Sequence, residues 1–156
     1  MLRQFYIIED DYDVSELIES EFENPYSLFQ FKKFNLHSEA MISMLTHMEP
    51  DFCIWDINVF DGNIRQAFIK HKFRCKAPSI IVSGESEDEI KKYQEFFLGD
   101  IWLMQKPFDQ DLVVKLAMQT VYPDLDYVRS QEGIIVPSWS GIGHVSTLKA
   151  RKTSGD

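Results

Sequence analysis

Four short polar segments of this sequence each follow an apolar run, and their residue types suit a cation and a phosphoryl group. The segments are Glu9-Asp10-Asp11 after residues 5–8, Asp56 after 52–55, Ser83 after 80–82, and Lys106-Pro107 after 101–104. Ligands of an open α/β sheet bind at the carboxyl ends of its strands, so we expect these side chains to converge on one pocket. Carboxylates are typical ligands of a divalent cation, whereas hydroxyl and ammonium groups can donate hydrogen bonds to phosphoryl oxygens.

The elements that must position these residues alternate between strand-like and helix-like patterns over residues 1–120. Strands are predicted at 5–8, 28–34, 52–55, 79–82 and 101–105, and helices at 14–22, 38–48, 64–70, 90–98 and 109–120. Asp13 and Glu16 form a predicted capping pair for the first helix, and Ser86 and Glu89 form one for the fourth. Five consecutive βα units predict an α/β fold with a five-stranded parallel sheet and helices on both faces.

The composition predicts one domain with an acidic surface. The chain has 156 residues, of which 44% are hydrophobic, and this is enough for a buried core. The formal net charge is −9, and because acids and bases balance within 123–156, residues 1–122 carry all of it. Phosphate contacts need clustered Lys and Arg, so residues 1–122 are predicted to bind a cation or proteins and not nucleic acid directly.

The last part of the chain, residues 123–156, is predicted to be a linker or C-terminal tail that is partly disordered. Residues 133–136 form a strand-like run within it, and Trp139 is a candidate contact with the domain or a partner. A cytoplasmic location is predicted, with no membrane association, because no apolar run approaches a membrane span and the first residues lack a secretory signal. Cys53 is interpreted as a buried free thiol and Cys75 as a thiol in a basic loop, which fits a reducing compartment.

The histidines lack metal-ligand spacing, and we predict that they are solvated or lie at helix ends. They are His37, His47, His71 and His144.

Residues 3–120 resemble a response-regulator receiver domain, the CheY-like phosphoacceptor module of two-component signalling. The matching segments are Ile7-Ile8-Glu9-Asp10-Asp11, Trp55-Asp56, Val82-Ser83-Gly84 and Gln105-Lys106-Pro107-Phe108, in that order. Each segment alone is a weak signal, but all four together are specific. The resemblance implies a flavodoxin-like, CheY-like fold, in which a doubly wound (βα)5 chain forms three αβα layers, with the receiver domain at 1–122.

The resemblance also implies that Asp56 is the phosphoacceptor. A carboxylate can act as a nucleophile toward phosphorus and form an aspartyl phosphate. Glu9 and Asp10 match the acidic pair that binds Mg²⁺ in the family, with Asp56 and the backbone carbonyl of Asn58 as further ligands. Asp11 is interpreted as a loop or capping residue and not as a ligand.

Lys106 and Ser83 match the residues that contact the phosphoryl group in the family. The peptide bond between Lys106 and Pro107 matches one that is usually cis. Asn58 and Glu85 occupy the positions that tune the lifetime of the phosphoryl group, and their polar side chains predict a lifetime of seconds to minutes.

Two regions depart from the family pattern. The loop after Asp56 is shorter than in the family and lacks its proline, so the carbonyl of Asn58 could be displaced. The position of the family's aromatic switch holds Leu103, with Trp102 beside it. Either the switch is absent or Trp102 serves through a shift in register, and we interpret Leu103 as a packing residue.

The resemblance implies a response regulator that takes a phosphoryl group from a sensor histidine kinase or a phosphotransfer protein and signals by conformational change. It is not expected to be an enzyme beyond its own phosphorylation and dephosphorylation. Implied partners include a downstream effector protein or a C-terminal output domain, and a homodimer through the fourth helix, fifth strand and fifth helix. Two alternatives stay open, namely a pseudo-receiver that binds proteins without phosphorylation, and an aspartyl-phosphate phosphatase, for which Asp56-Ile57-Asn58 lacks the second Asp of a D-x-D motif.

Overall fold

The computed structural model describes residues 3–22, 29–60, 62–121 and 145–148. Within these ranges the strands are β1 (Arg3–Ile8), β2 (Phe29–Phe34), β3 (Phe52–Asp56), β4 (Asn58–Val59), β5 (Gly62–Asn63), β6 (Ser79–Ser83), β7 (Ile101–Gln105) and β8 (Val145–Leu148). The helices are α1 (Tyr12–Glu21), α2 (His37–Thr46), α3 (Ile64–Lys70), α4 (Glu87–Lys91) and α5 (Gln110–Val121), with a 3-10 turn at Gln94–Phe96. None of these helices combines the length and apolarity that a membrane crossing requires.

The main sheet has the strand order β2-β1-β3-β6-β7-β8, and its first five strands are parallel. This confirms the predicted five-stranded parallel sheet. The strands β3 and β6 are buried along their whole length, as expected for continuous apolar runs that are covered on both faces. From β1, the chain adds β2 on one side of the sheet and then β3, β6 and β7 on the other side. The boundary between β1 and β3 is therefore a topological switch point, and open α/β sheets bind their ligands at such a point.

Two apolar clusters cover the two faces of the sheet and confirm the three-layer arrangement. Successive residues of β3 point to opposite faces, so Trp55 lies in one cluster and Ile54 in the other. The Trp55 cluster includes buried residues of α2 and α3, and the Ile54 cluster includes those of α1 and α5. The burial of both faces holds the ends of β1, β3 and β6 in fixed positions.

The strand β8 was not predicted from the sequence. It pairs antiparallel with β7, with Met104 opposite Val145 and Ile101 opposite Leu148, and so adds a sixth strand at the edge of the sheet. These four residues belong to the segment that was predicted to be a linker or tail. The predicted strand at 133–136 and Trp139 lie outside the described residues.

Two predicted helix signals differ from the structure. Helix α1 is capped by Asp11, whose side chain accepts hydrogen bonds from the backbone N–H groups of Asp13 and Val14, so the predicted Asp13–Glu16 capping pair is wrong. The capping residue of α4 is Ser86, as predicted, and its side chain accepts from the N–H of Glu89. However, α4 ends at Lys91 and is followed by a separate 3-10 turn.

The early end of α4 has a physical reason in the chain that follows it. Phe96 and Phe97 are both buried, and Phe97 forms an isolated parallel bridge with Cys75. This pairing requires extended backbone at Phe97, which a continuous helix over residues 90–98 would not allow. Cys75, in the basic loop between α3 and β6, is therefore buried, as Cys53 is, and both thiols are free.

Candidate functional site

Three carboxylates converge at the carboxyl ends of β1 and β3. Glu9 and Asp10 follow β1, Asp56 is the last residue of β3, and the two strands are neighbours in the sheet. One carboxylate oxygen from each of these three residues lies within 4.8 Å of the others. Glu9 and Asp56 are each only 6% exposed, whereas Asp10 is partly exposed. Three oxygen ligands at the rim of a buried site suit Mg²⁺, which binds one or two carboxylates and keeps several waters.

Lys106 brings an ammonium group to the same place from the end of β7. Its Nζ donates a hydrogen bond of 2.6 Å to Oδ2 of Asp56 and lies 3.7 Å from Oε2 of Glu9. The other oxygen of the Asp56 carboxylate, Oδ1, accepts a hydrogen bond of 3.1 Å from the backbone N–H of Asn58. Both oxygens of Asp56 are therefore held by donors, and the carboxylate has a defined orientation.

The buried acids perturb the titration of their neighbours. The pKa of Glu9 is raised to about 8: burial raises it most, the charge of Asp56 and a hydrogen bond with Asp56 also raise it, and the hydrogen bond from the Asp11 backbone N–H and the charge of Lys106 lower it. For Lys106, burial lowers the pKa, but the hydrogen bond with Asp56 and the charges of Asp56, Glu9 and Asp10 outweigh burial, so the pKa is raised. The site thus favours a charged lysine, and Glu9 keeps its proton to a higher pH than an exposed glutamate does.

Ser83 and Lys106 are linked through the backbone of β6 and β7. The side chain of Ser83 is buried, and its Oγ accepts a hydrogen bond of 3.0 Å from the backbone N–H of Glu85. The backbone N–H of Lys106 donates to the carbonyl of Ser83 at 2.8 Å, and Gln105 Nε2 donates to the carbonyl of Glu85 at 2.9 Å. The peptide bond between Lys106 and Pro107 is cis.

The short loop after Asp56 folds into a small antiparallel hairpin. Asn58 pairs with Asn63 and Val59 with Gly62, which has a φ of 109° that favours glycine. The side chain of Asn58 is exposed, and its Oδ1 accepts a hydrogen bond from Asn63 Nδ2. Asn58, whose backbone carbonyl is the predicted further Mg²⁺ ligand, therefore lies in the first strand of this hairpin.

The two candidate switch residues lie on opposite faces of the sheet. Leu103 is buried in the cluster that contains Trp55, whereas Trp102 packs against the other cluster and stacks on Phe52 with ring centroids 5.9 Å apart. Side chains alternate along β6, so Ser83 points to the same face as Ile81, which shares the cluster of Leu103. Trp102 therefore faces away from Ser83, which argues against the register-shift interpretation.

Sequence reasoning missed one residue that contacts the acceptor position. His37 was predicted to be solvated or at a helix end; it is the first residue of α2, but it is fully buried. Its Nε2 lies 2.6 Å from the backbone carbonyl oxygen of Asp56. The sequence carries no signal for this contact, because it depends on how α2 packs against β3.

The structure is similar to solved receiver domains. One is a CheY-like receiver domain from Methylobacillus flagellatus, with 22% identity, a TM-score of 0.59, and coverage of 78% of this chain and 99% of that chain. A second is a CheY-like receiver domain from Methanospirillum hungatei JF-1, with 18% identity, a TM-score of 0.59, and coverage of 85% of this chain and all of that chain. The chain has the fold of a receiver domain.

A third solved structure with this receiver fold is the phosphorylated cyanobacterial phytochrome response regulator RcpA. It is 15% identical, with a TM-score of 0.57, and the match covers 83% of this chain and 96% of RcpA. No protein-family model and no curated protein gives a significant match to the sequence. The predicted resemblance is thus confirmed at the level of the fold, with sequence identities of 15–22% to these structures.

Proposed function

We propose that this chain is a phosphoacceptor receiver domain, which takes a phosphoryl group from a histidine kinase or a phosphotransfer protein onto Asp56. The main support is the environment of the Asp56 carboxylate, which lies at the switch point of a receiver fold. It has a lysine on one oxygen, a backbone N–H on the other, and two further acids beside it.

The proposed reaction transfers a phosphoryl group from the imidazole of a donor histidine to the carboxylate of Asp56. A carboxylate oxygen of Asp56 attacks the phosphorus of a phosphohistidine donor, and the new O–P bond forms as the P–N bond breaks. The electron pair of that bond returns to the donor imidazole, which then takes up a proton. Lys106, near Asp56, neutralises charge on the transferred oxygens, and Ser83 can donate its hydroxyl hydrogen to one of them.

Mg²⁺ is the proposed cofactor, held by Glu9, Asp10 and Asp56, with the backbone carbonyl of Asn58 as a further predicted ligand. When bound, it supplies positive charge that offsets the repulsion between these carboxylates and an incoming phosphoryl group. The pKa of Glu9 near 8 supports this role, since a buried acid among other acids is ionised more readily when a cation is present.

The response to phosphorylation is proposed to be a shift between two conformers that a downstream effector or output domain distinguishes. In this proposal the chain turns over no external substrate. Asn58, two residues after the acceptor, and Glu85, two residues after Ser83, tune how long the phosphoryl group persists.

Incubation with acetyl phosphate and Mg²⁺, followed by intact-mass measurement, tests the proposal. We expect one added phosphoryl group per chain, with none in Asp56→Asn. Asp88→Asn is the matched control, because the Asp88 side chain is 94% exposed and should take no part in the reaction.

Two results would count against the proposal. A wild-type chain that binds Mg²⁺ but takes up no phosphoryl group would favour an interaction module without phosphorylation. Multiple turnover of a phosphomonoester would favour a phosphatase.

A further inference from the structure

The contact between His37 and Asp56 joins the start of α2 to the residue that carries the acceptor carboxylate. The imidazole is fully buried, and its Nε2 lies 2.6 Å from the Asp56 carbonyl oxygen. The ring also lies beside Trp55, with ring centroids 6.2 Å apart. His37 therefore touches both the backbone of Asp56 and the side chain of the residue before it.

The chemistry of the two atoms fixes the direction of this hydrogen bond. A carbonyl oxygen can only accept, so Nε2 of His37 must carry a hydrogen and donate it. The bond is buried, and a buried carbonyl that loses its donor carries a desolvation penalty. The carbonyl of Asp56 is thus held at a defined position by a side chain from another element.

The position of this carbonyl matters because it lies where β3 ends. The next backbone N–H, of Ile57, donates to Val82 at 3.2 Å, and the N–H of Asn58 donates to the Asp56 carboxylate at 3.1 Å. A shift of the Asp56 backbone would move the Ile57 N–H, which lies in the same peptide group as the Asp56 carbonyl. It would also move the carboxylate relative to Lys106, Glu9 and Asp10.

We propose that His37 is a positioning residue for the acceptor site, which holds the backbone of Asp56 so that its carboxylate faces the cation site and the incoming phosphoryl group. This inference rests on the proposed phosphoacceptor function. The metal and the phosphoryl group contact Asp56, and His37 acts on them only through that residue. Partners that orient a ligating or reacting group in this way contribute about tenfold or more to affinity or activity.

Substitutions of His37 can distinguish a role as hydrogen-bond donor to the Asp56 carbonyl from a role in filling space. The amide nitrogen of glutamine reaches about as far as Nε2 of histidine, whereas that of asparagine reaches only about as far as Nδ1. We expect His37→Gln to keep phosphorylation by acetyl phosphate within about threefold of wild type, and His37→Asn to slow it by about tenfold. His37→Phe, which fills the space without a donor, should behave like His37→Asn.

Affinity for Mg²⁺, measured by isothermal titration calorimetry, gives a second readout that needs no phosphoryl transfer. We expect the same order of variants, with His37→Asn and His37→Phe weaker than His37→Gln. His47→Gln and His47→Asn are matched controls in the same segment, since His47 is an exposed residue at the end of α2, and they should change neither readout. Thermal denaturation of each variant shows whether it is folded, and the Gln and Asn variants decide the question if the Phe variant is not.

The outcomes distinguish this inference from the proposed function. If wild type is phosphorylated and the Gln and Asn variants are equally fast and bind Mg²⁺ equally well, the positioning role is wrong and the phosphoacceptor function stands. If the rates follow thermal stability and not the presence of a donor, His37 is a packing residue only. If wild type takes up no phosphoryl group, the proposed function fails, and the Mg²⁺ affinities still decide whether His37 orients Asp56. If wild type neither takes up a phosphoryl group nor binds Mg²⁺, both the phosphoacceptor function and the positioning role of His37 are wrong.

Discussion

Lys106 reaches Asp56 across the width of β6, because β6 lies between β3 and β7 in the sheet. The two side chains meet at 2.6 Å, with the Asp56 side chain 7% exposed and that of Lys106 37% exposed. This is a partly buried ion pair, and removal of one partner from such a pair leaves an uncompensated charge. The pair also places the ammonium group beside the carboxylate before any phosphoryl group arrives.

Replacement of Lys106 should therefore impair phosphorylation more than it impairs folding. We expect Lys106→Met to slow the uptake of a phosphoryl group from acetyl phosphate by about a hundredfold, since a positioned charge on the transferred oxygens is lost. Lys92→Met is the matched control, because Lys92 makes an ion pair of the same 2.6 Å length with Glu89, but at the exposed C-terminal end of α4. Intact-mass measurement over time gives both rates, and a Lys106→Met variant as fast as wild type would contradict the assigned role.

The raised pKa of Glu9 predicts how stability depends on pH in the metal-free protein. The unfolded chain loses the Glu9 proton near its ordinary pKa of 4.5, whereas burial raises the pKa in the folded protein to about 8. Between these values the folded state binds more protons than the unfolded state, so this contribution to stability is present at low pH and is lost as pH rises through about 8. Urea unfolding in the presence of a chelator measures this trend.

The control for that prediction is Glu9→Gln, which keeps the shape of the side chain and removes the titration. We expect the variant to show a weaker fall of the free energy of unfolding between pH 4.5 and about 8 than wild type. Identical pH profiles for the two proteins would show that Glu9 titrates normally.

The central strands and the polar residues at their ends could be predicted from the sequence for one reason. A strand that is buried on both faces is a continuous apolar run, and the residue types change abruptly where it ends. Asp56 at the end of β3 and Ser83 at the end of β6 are both recognisable in this way. The parallel order of the sheet then brings them together without further information.

The contacts that the sequence could not predict all depend on packing between distant segments. Residues 145–148 are too short a run to stand out, and they form a strand only because the edge of β7 accepts them. His37 looks like an ordinary residue at the start of a helix, and only the position of α2 against β3 brings its ring to Asp56. The burial of Cys75 depends in the same way on packing between distant segments, since it follows from the bridge to Phe97.

Mg²⁺ should stabilise the folded protein through the three carboxylates. A ligand that binds only the folded state at about a hundred times its dissociation constant stabilises it by about 2.7 kcal/mol, so the melting temperature should rise with Mg²⁺ concentration. Glu9→Gln combined with Asp10→Asn should abolish this rise, while Asp88→Asn should keep it. A rise of equal size in the double variant would place the cation elsewhere.

Phe68 should make one of the larger contributions to the stability of the fold. Its fully buried ring lies 5.0 Å from that of Phe96 and 5.5 Å from that of Trp55, so it joins α3 to β3 and to the 3-10 turn. We expect Phe68→Ala to lower the free energy of unfolding by about 3–5 kcal/mol, as measured by urea denaturation. Phe60→Ala is the control, because Phe60 is 73% exposed and its removal should change stability by no more than about 0.5 kcal/mol. Equal losses in the two variants would contradict the packing described for the Trp55 cluster.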